Sequence, residues 1–269
     1  MATRPSIARQ PKLGTSRLLH PLSSQRKMLM AVATHRATSG HPENPLGWAA
    51  AGLLAPQDEW EQFSGNWQSA LAGATRSAEV KHPGSPVTTS EILCALLEGS
   101  KIAAVGCALS DATFTSLPQV ERRKLLWNRD SDAALLCLRH CIAEAAAKMG
   151  GLPREERVCF VMDWRDELAS AALWFFEDCL HFSNEPSRQR LGSLGFESGQ
   201  DFLPLRAARE FAQECSRRLG KAASDEDRQE PDPPLSRLEV TILGCQEIAN
   251  SIPLSKDRRR EWNQSASGL

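Results

Sequence analysis

Asp163 closes the run Val158-Cys159-Phe160-Val161-Met162, five apolar residues of strand length. A continuous run of this kind marks a strand buried on both faces, the usual centre of an α/β sheet. A carboxylate at the end of a buried strand is costly to desolvate, so it needs a cation, a metal or a helix N-terminus beside it. A helix follows at once, because Leu168, Ala171, Ala172, Phe175, Phe176 and Leu180 recur at helical spacing. Strand, carboxylate and helix in that order is the layout of a site at the carboxyl edge of a sheet. The competing reading is that Asp163 only caps the helix.

Other residues with the chemistry for a site are scattered. Asp166, Glu167, Glu197, Asp201 and Glu210 lie near Asp163 in sequence. Each by itself reads as an ordinary surface acid; Asp201 and Glu197, just before the last domain helix, are the two that would rebuild a metal site with Asp163. His82 is a general-base candidate in a loop, and its isolation favours a plain surface histidine. Cys137, His140 and Cys141 share one helix face at zinc-binding spacing, but no fourth ligand accompanies them, so core cysteines are the simpler reading. Trp60 and Trp67 have the rings to stack on bases. Their spacing with Phe63 and Leu71 makes them one apolar helical stripe instead.

The elements that must position these groups alternate between strand and helix patterns. Met28 to Thr34 is a short apolar run and a candidate first strand, followed by the turn-rich connector HRATSGHPENP. Residues 47–55 form a second apolar run before the tryptophan helix, which ends near Gly73. Thr88 and Glu91 form a capping box that opens a helix through Leu97. Residues 101–110 read as a strand. Helical sequence then runs from Pro118 to Met149 in two parts, and Gly150-Gly151 stops it. After the central strand and its helix, residues 190–196 read as another strand. Pro204 stands in the first turn of a helix whose stripe is Leu205, Ala208, Ala212, Cys215 and Leu219. The strands at 47–55, 101–110, 158–163 and 190–196 are expected in one mixed sheet with 158–163 interior. The segment LSRLEVTILGCQEIANSI, residues 235–252, reads as one more helix.

Composition sets the bounds. The 269 residues carry a net charge of −1, so no broad basic surface is expected and any nucleic-acid contact must come from a local patch. The charge is uneven: residues 1–42 hold seven Lys or Arg and no acid. Residues 1–27 read as a flexible basic arm, 28–220 as the folded α/β domain, and 221–269 as a charged linker with a helical tail. The arm resembles a transit peptide in being Arg- and Ser-rich, but a basic leader on a bacterial cytosolic protein explains it as well. Eight cysteines without a CxxC pair indicate a reducing, cytoplasmic setting. No run approaches the ~18 apolar residues of a membrane span, so no membrane partner is expected.

Four segments, in this order and spacing, give the chain a resemblance to a known family. They are GLLAPQDEWEQFSGNW with its paired tryptophans, Lys81-His82 before a helix, VCFVMD, and RLGSLGFESGQDFLPLRAAREFAQECSRRLG. Together they resemble the domain-of-unknown-function 3800 family over roughly residues 45–220. That family is regarded as one of metal-dependent nucleases with a ribonuclease H-like fold. The resemblance therefore implies an α/β, ribonuclease H-like mixed sheet with helices on both faces, and a carboxylate cluster holding Mg²⁺ or Mn²⁺. Two of the three acid positions depart from the pattern. The family's Asp-Glu-Ser-Gly motif has Ala37-Thr38-Ser39-Gly40 as its counterpart, and the aspartate of PLQAAD is replaced by Arg209. Only Asp163 is kept.

Mg²⁺ needs hard anionic oxygens around much of its shell, and a lone aspartate seldom supplies enough. An arginine in the cluster opposes binding outright, since two unit charges ~4 Å apart repel by about 4 kcal/mol at an effective dielectric of 20. Two functions follow. The first is a non-catalytic ribonuclease H-like domain that needs no cofactor and serves as a binding or assembly module for a partner protein or nucleic acid. Arg209, Arg206 and His82 are its candidate binding residues, and the Arg209 guanidinium is expected to face Asp163. The second is a metal-dependent nuclease whose Mg²⁺ or Mn²⁺ is held by Asp163 and Asp201.

Overall fold

The computed structural model describes residues 28–38, 45–79, 89–117, 132–153, 155–165, 168–182, 186–223 and 240–244. The basic arm, Ser39-Gly40, Lys81-His82, Thr88 of the capping box, the first part of the 118–149 helical region, and residues 224–239 and 245–269 lie outside them.

Six strands form one mixed sheet. They are β1 (Met28–Thr38), β2 (Pro45–Pro56), β3 (Ala103–Ser110), β4 (Val158–Asp163), β5 (Leu191–Glu197) and β6 (Val240–Ile242), in the order β5-β4-β1-β2-β3-β6. β1, β2 and β3 pair antiparallel; β4 joins β1, β5 joins β4 and β6 joins β3 in parallel. The apolar run at β4 is interior, as its two-sided hydrophobicity requires.

Helices cover both faces. On one side α4 (Asp132–Lys148) and α5 (Ala169–Phe182) bury Met30, Val32, Trp48, Cys107, Phe160 and Met162. On the other, α1 (Gln57–Glu79), α2 (Thr89–Glu98) and α6 (Leu203–Ala223) cover Ala31, Ala33, Ala49, Leu53 and Val161. The alternation along β1 and β2 sends even-numbered residues to the first core and odd-numbered ones to the second. A short helix, α3 (Asp111–Ser116), follows β3 and is capped by the Ser110 hydroxyl, which accepts the Thr113 N–H at 2.9 Å.

The tryptophan stripe of α1 is core. Trp60 and Phe63, and Phe63 and Trp67, meet edge to face at 5.6 and 5.3 Å, and the Trp60 indole N–H donates to the Leu29 carbonyl at 2.9 Å. Cys137 and Cys141 are likewise buried, beside Cys107. The sequence-predicted stripe of α6 is wholly buried, and it also includes Ala207 and Phe211.

Two sequence-based expectations are corrected. His35 to Thr38 continue β1 rather than opening the connector, because β2 pairs with them as far as Thr38. Within the segment read as a final helix, Val240–Ile242 is a strand beside β3, with the Leu243 N–H donating to the Ala108 carbonyl at 2.8 Å. Val240, Thr241 and Ile242 are all β-branched, and an edge position open to pairing lets that preference win.

Candidate functional site

Unequal strand lengths create a cleft at the end of β4. The β1–β4 ladder stops at Val32↔Met162, whereas β1 runs on beside β2 for six more residues. The overhang of β1, the tip of β4 and the first turns of α6 enclose a cavity of about 210 Å³. Its walls are Ala33, Thr34, His35 and Arg36 of β1, Trp48 of β2, Asp163 and Arg165 after β4, and Leu205 and Arg209 of α6.

Asp163 is 6 % exposed and fully engaged on both oxygens. Oδ1 accepts the Arg165 backbone N–H at 3.0 Å, and Oδ2 pairs with Nη2 of Arg209. The Asp163 side chain is 8 % exposed and that of Arg209 45 %, so the pair lies at the cleft wall with its cationic half open to water. Helix α6 places Arg209 here because its apolar stripe seats Leu205, Ala208 and Phe211 on the sheet, and Arg209 flanks that stripe. Gly199 lies against the pair: a Cβ there would come within 2.3 Å of Asp163 Oδ2 and 2.8 Å of Arg209 Nη2. A side chain there would force the pair to shift.

Arg36 and Arg165 are the other cations. Arg36 lies 5.0 Å from the centroid of the Trp48 ring, its register partner on β2, and 3.9 Å from the Asp111 carboxylate. Arg165 lies 5.0 Å from the centroid of the Trp164 ring, and Trp164, between the wall residues Asp163 and Arg165 in sequence, is 57 % exposed. Two wall nitrogens, His35 Nδ1 and Trp48 Nε1, are buried without a hydrogen-bond partner. The cleft lining thus holds three arginines and one acid, and both oxygens of that acid are already engaged.

Burial lowers the pKa of His35 below its ordinary 6.5. The unfolded chain then binds this proton at higher pH than the folded one, so acid favours unfolding at this residue. The stability contributed by neutral His35 is complete above about pH 6.5 and is lost as the pH falls through the folded-state value. His35→Gln is expected to melt with a shallower acid dependence below about pH 6.5. Parallel Tm-against-pH curves for the two proteins would refute this assignment.

Of the other sequence-predicted residues, Glu197 is the register partner of Asp163 on β5, Asp201 and Arg206 do not line the cleft, and Asp166 and Glu167 lie outside the described residues. Asp201 is exposed in the turn before α6, where its backbone N–H donates to the Ser198 carbonyl at 3.1 Å. Arg206 is exposed on α6 beside Glu210, whose pKa is raised by burial against the opposing pull of Arg206 and Arg209. His82 lies outside the described residues. Sequence reasoning missed His35, Arg36, Arg165 and Trp48 as wall residues, and Gly199 as the residue against the Asp163–Arg209 pair. The signal for Arg165 was its place two residues after Asp163, where a short polar turn follows a buried strand. For His35 and Arg36 the turn-like composition of HRATSGHPENP hid the strand.

The donor set does not fit Mg²⁺ or Mn²⁺. Both oxygens of the one aspartate in the lining are engaged, one of them by a guanidinium, and the other charged lining residues are Arg36 and Arg165. Among the described residues no three His, Cys, Asp or Glu side chains are grouped to hold a metal ion. Among those same residues no helix is long and apolar enough to cross a membrane. No protein-family model matches the chain, and no curated protein matches it.

Proposed function

We propose that this chain is a non-catalytic relative of the ribonuclease H-like nucleases, a binding or assembly module that meets a partner protein or nucleic acid through the cleft at the end of β4. The observation that carries the reading is the Arg209 guanidinium on Asp163. An arginine there compensates a buried carboxylate and engages the oxygen a metal would need. The mixed sheet, its interior β4 and the packing of α6 beside the β4 tip support the reading. A cytoplasmic setting belongs to the same proposal, supported by the free thiols of Cys107, Cys137, Cys141, Cys159 and Cys215.

The test is a calorimetric titration with Mn²⁺, paired with incubation of the protein with single-stranded and duplex DNA and RNA. The expected result is no saturable Mn²⁺ binding in the micromolar range and no strand cleavage. Mn²⁺-dependent cleavage that disappears in Asp163→Ala would replace this reading with the nuclease one.

A further inference from the structure

The cleft is built for an anion, and its rim is built for a ring. Arg36, Arg165 and Arg209 line it, and Arg209 commits one of its three guanidinium nitrogens to Asp163. Asp163 and its register partner Glu197 offset part of this charge, and the remaining N–H donors of the three forks suit a phosphate monoester, which carries about −1.5 to −2 at pH 7. Asp111 offsets Arg36 only at 3.9 Å and on the exposed side, with both side chains more than a third exposed. Trp48 is 3 % exposed, yet its indole N–H has no partner, and neither has His35 Nδ1. An unmet buried donor costs about 1–3 kcal/mol, which an acceptor-only ligand seated at this wall would recover. A carboxylate ligand would satisfy the charge less fully, because it brings one negative charge and two oxygens against three guanidiniums.

The rim narrows the choice further. Trp164 sits between Asp163 and Arg165, two wall residues, and more than half of it is exposed. Arg165, itself a wall residue, lies 5.0 Å from the centroid of that exposed ring. An aromatic platform next to a phosphate pocket is how proteins hold a base and its phosphate together. A phosphorylated side chain of a protein partner would use the cations and leave the indole bare.

We propose that the cleft binds a nucleotide through its terminal phosphate monoester, with Arg36, Arg165 and Arg209 on the phosphate and Trp164 under the base. This rests on the non-catalytic binding-module reading and specifies its ligand. The cavity of about 210 Å³ has room for the phosphoryl group and part of its sugar, and the base lies outside on Trp164. The nucleotide comes either free or as the 5′ end of a strand.

Tryptophan fluorescence and thermal shift on the full chain test this with adenosine 5′-monophosphate, adenosine, inorganic phosphate, a phosphoserine peptide, and one oligonucleotide with and without a 5′-phosphate. Adenosine 5′-monophosphate should quench fluorescence and raise Tm, and adenosine should do neither. Arg36→Ala and Arg165→Ala, both at exposed positions, should each weaken that binding about tenfold or more. Trp164→Ala should weaken the nucleotide by a similar factor and leave inorganic phosphate unchanged. A preference for the 5′-phosphorylated strand over both the unphosphorylated strand and the mononucleotide identifies the strand end as the source; equal affinity for mononucleotide and phosphorylated strand identifies the free nucleotide. Equal binding of adenosine and its monophosphate, indifference to both arginine variants, or tighter binding of the phosphoserine peptide would overturn the proposal. None of these outcomes touches the non-catalytic reading, which only Mn²⁺-dependent cleavage removes.

Discussion

Phe211→Ala is expected to lower the free energy of unfolding by about 3–5 kcal/mol, the range for truncating a fully buried phenylalanine. Phe211 is 0 % exposed and sits in the core between α6 and the sheet. Its ring lies over Gly106 of β3, where an added Cβ would come within 3.0 Å of Cζ. The same position would meet Cys215 Sγ at 2.6 Å, so α6 lies as close to β3 as a glycine permits. Truncation here leaves a cavity that neighbouring backbone cannot fill, because β3 is held between β2 and β6. Denaturant titration followed by circular dichroism gives the value, and a loss under about 1 kcal/mol would show that α6 is not anchored here. The consequence reaches the site, since α6 also carries Arg209. Phe211→Leu should recover much of the stability, because it keeps most of the buried volume.

Arg209→Ala is expected to cost roughly 2–3 kcal/mol. Removing one partner of a buried pair typically costs about 3–5 kcal/mol, because the other charge stays buried and unmatched. The lower figure applies because the Arg209 side chain is 45 % exposed, and water screens it and replaces part of its role. Asp163 would keep the Arg165 N–H on Oδ1 and lose its partner on Oδ2. Asp163→Asn should cost less than Arg209→Ala, since the arginine it abandons can turn to solvent. In a double-mutant cycle the two changes should couple by about 1–2 kcal/mol. Additive losses would mean that the two side chains do not interact. Gly199→Ala approaches the same pair from the other side. Its Cβ would overlap the Asp163 carboxylate, so it should destabilise the wild type by about 1–3 kcal/mol and an Asp163→Ala background by much less.

The amino-acid sequence by itself determined the order of the elements from β2 to α6 that the structure describes and the faces they bury. Val158 to Met162 are apolar at every position, and that composition permits only an interior strand or a buried helix; Asp163 and the helix stripe after it favoured the strand. Leu205, Ala208, Ala212, Cys215 and Leu219 fixed the buried side of α6, and so put Arg209 beside that side. The Asp163–Arg209 juxtaposition was legible for that reason, with the family resemblance supplying the partner across the gap. What the local pattern could not give was the extent of β1. His35 to Thr38 have a turn-like composition, and only pairing with residues 45 to 49 of β2 makes them strand. Val240–Ile242 is the same case, a three-residue segment ordered by an available edge. The cleft follows from the tertiary structure alone. It exists because β1 outruns β4 by several residues, and no periodicity in either strand encodes a difference in their lengths. His35, Arg36, Trp48, Arg165 and Gly199 become neighbours of Asp163 only when that overhang, the β4 tip and α6 close on one another. Charge pairing at a site depends on distances across strands and helices, and sequence spacing reports distance only within a single element.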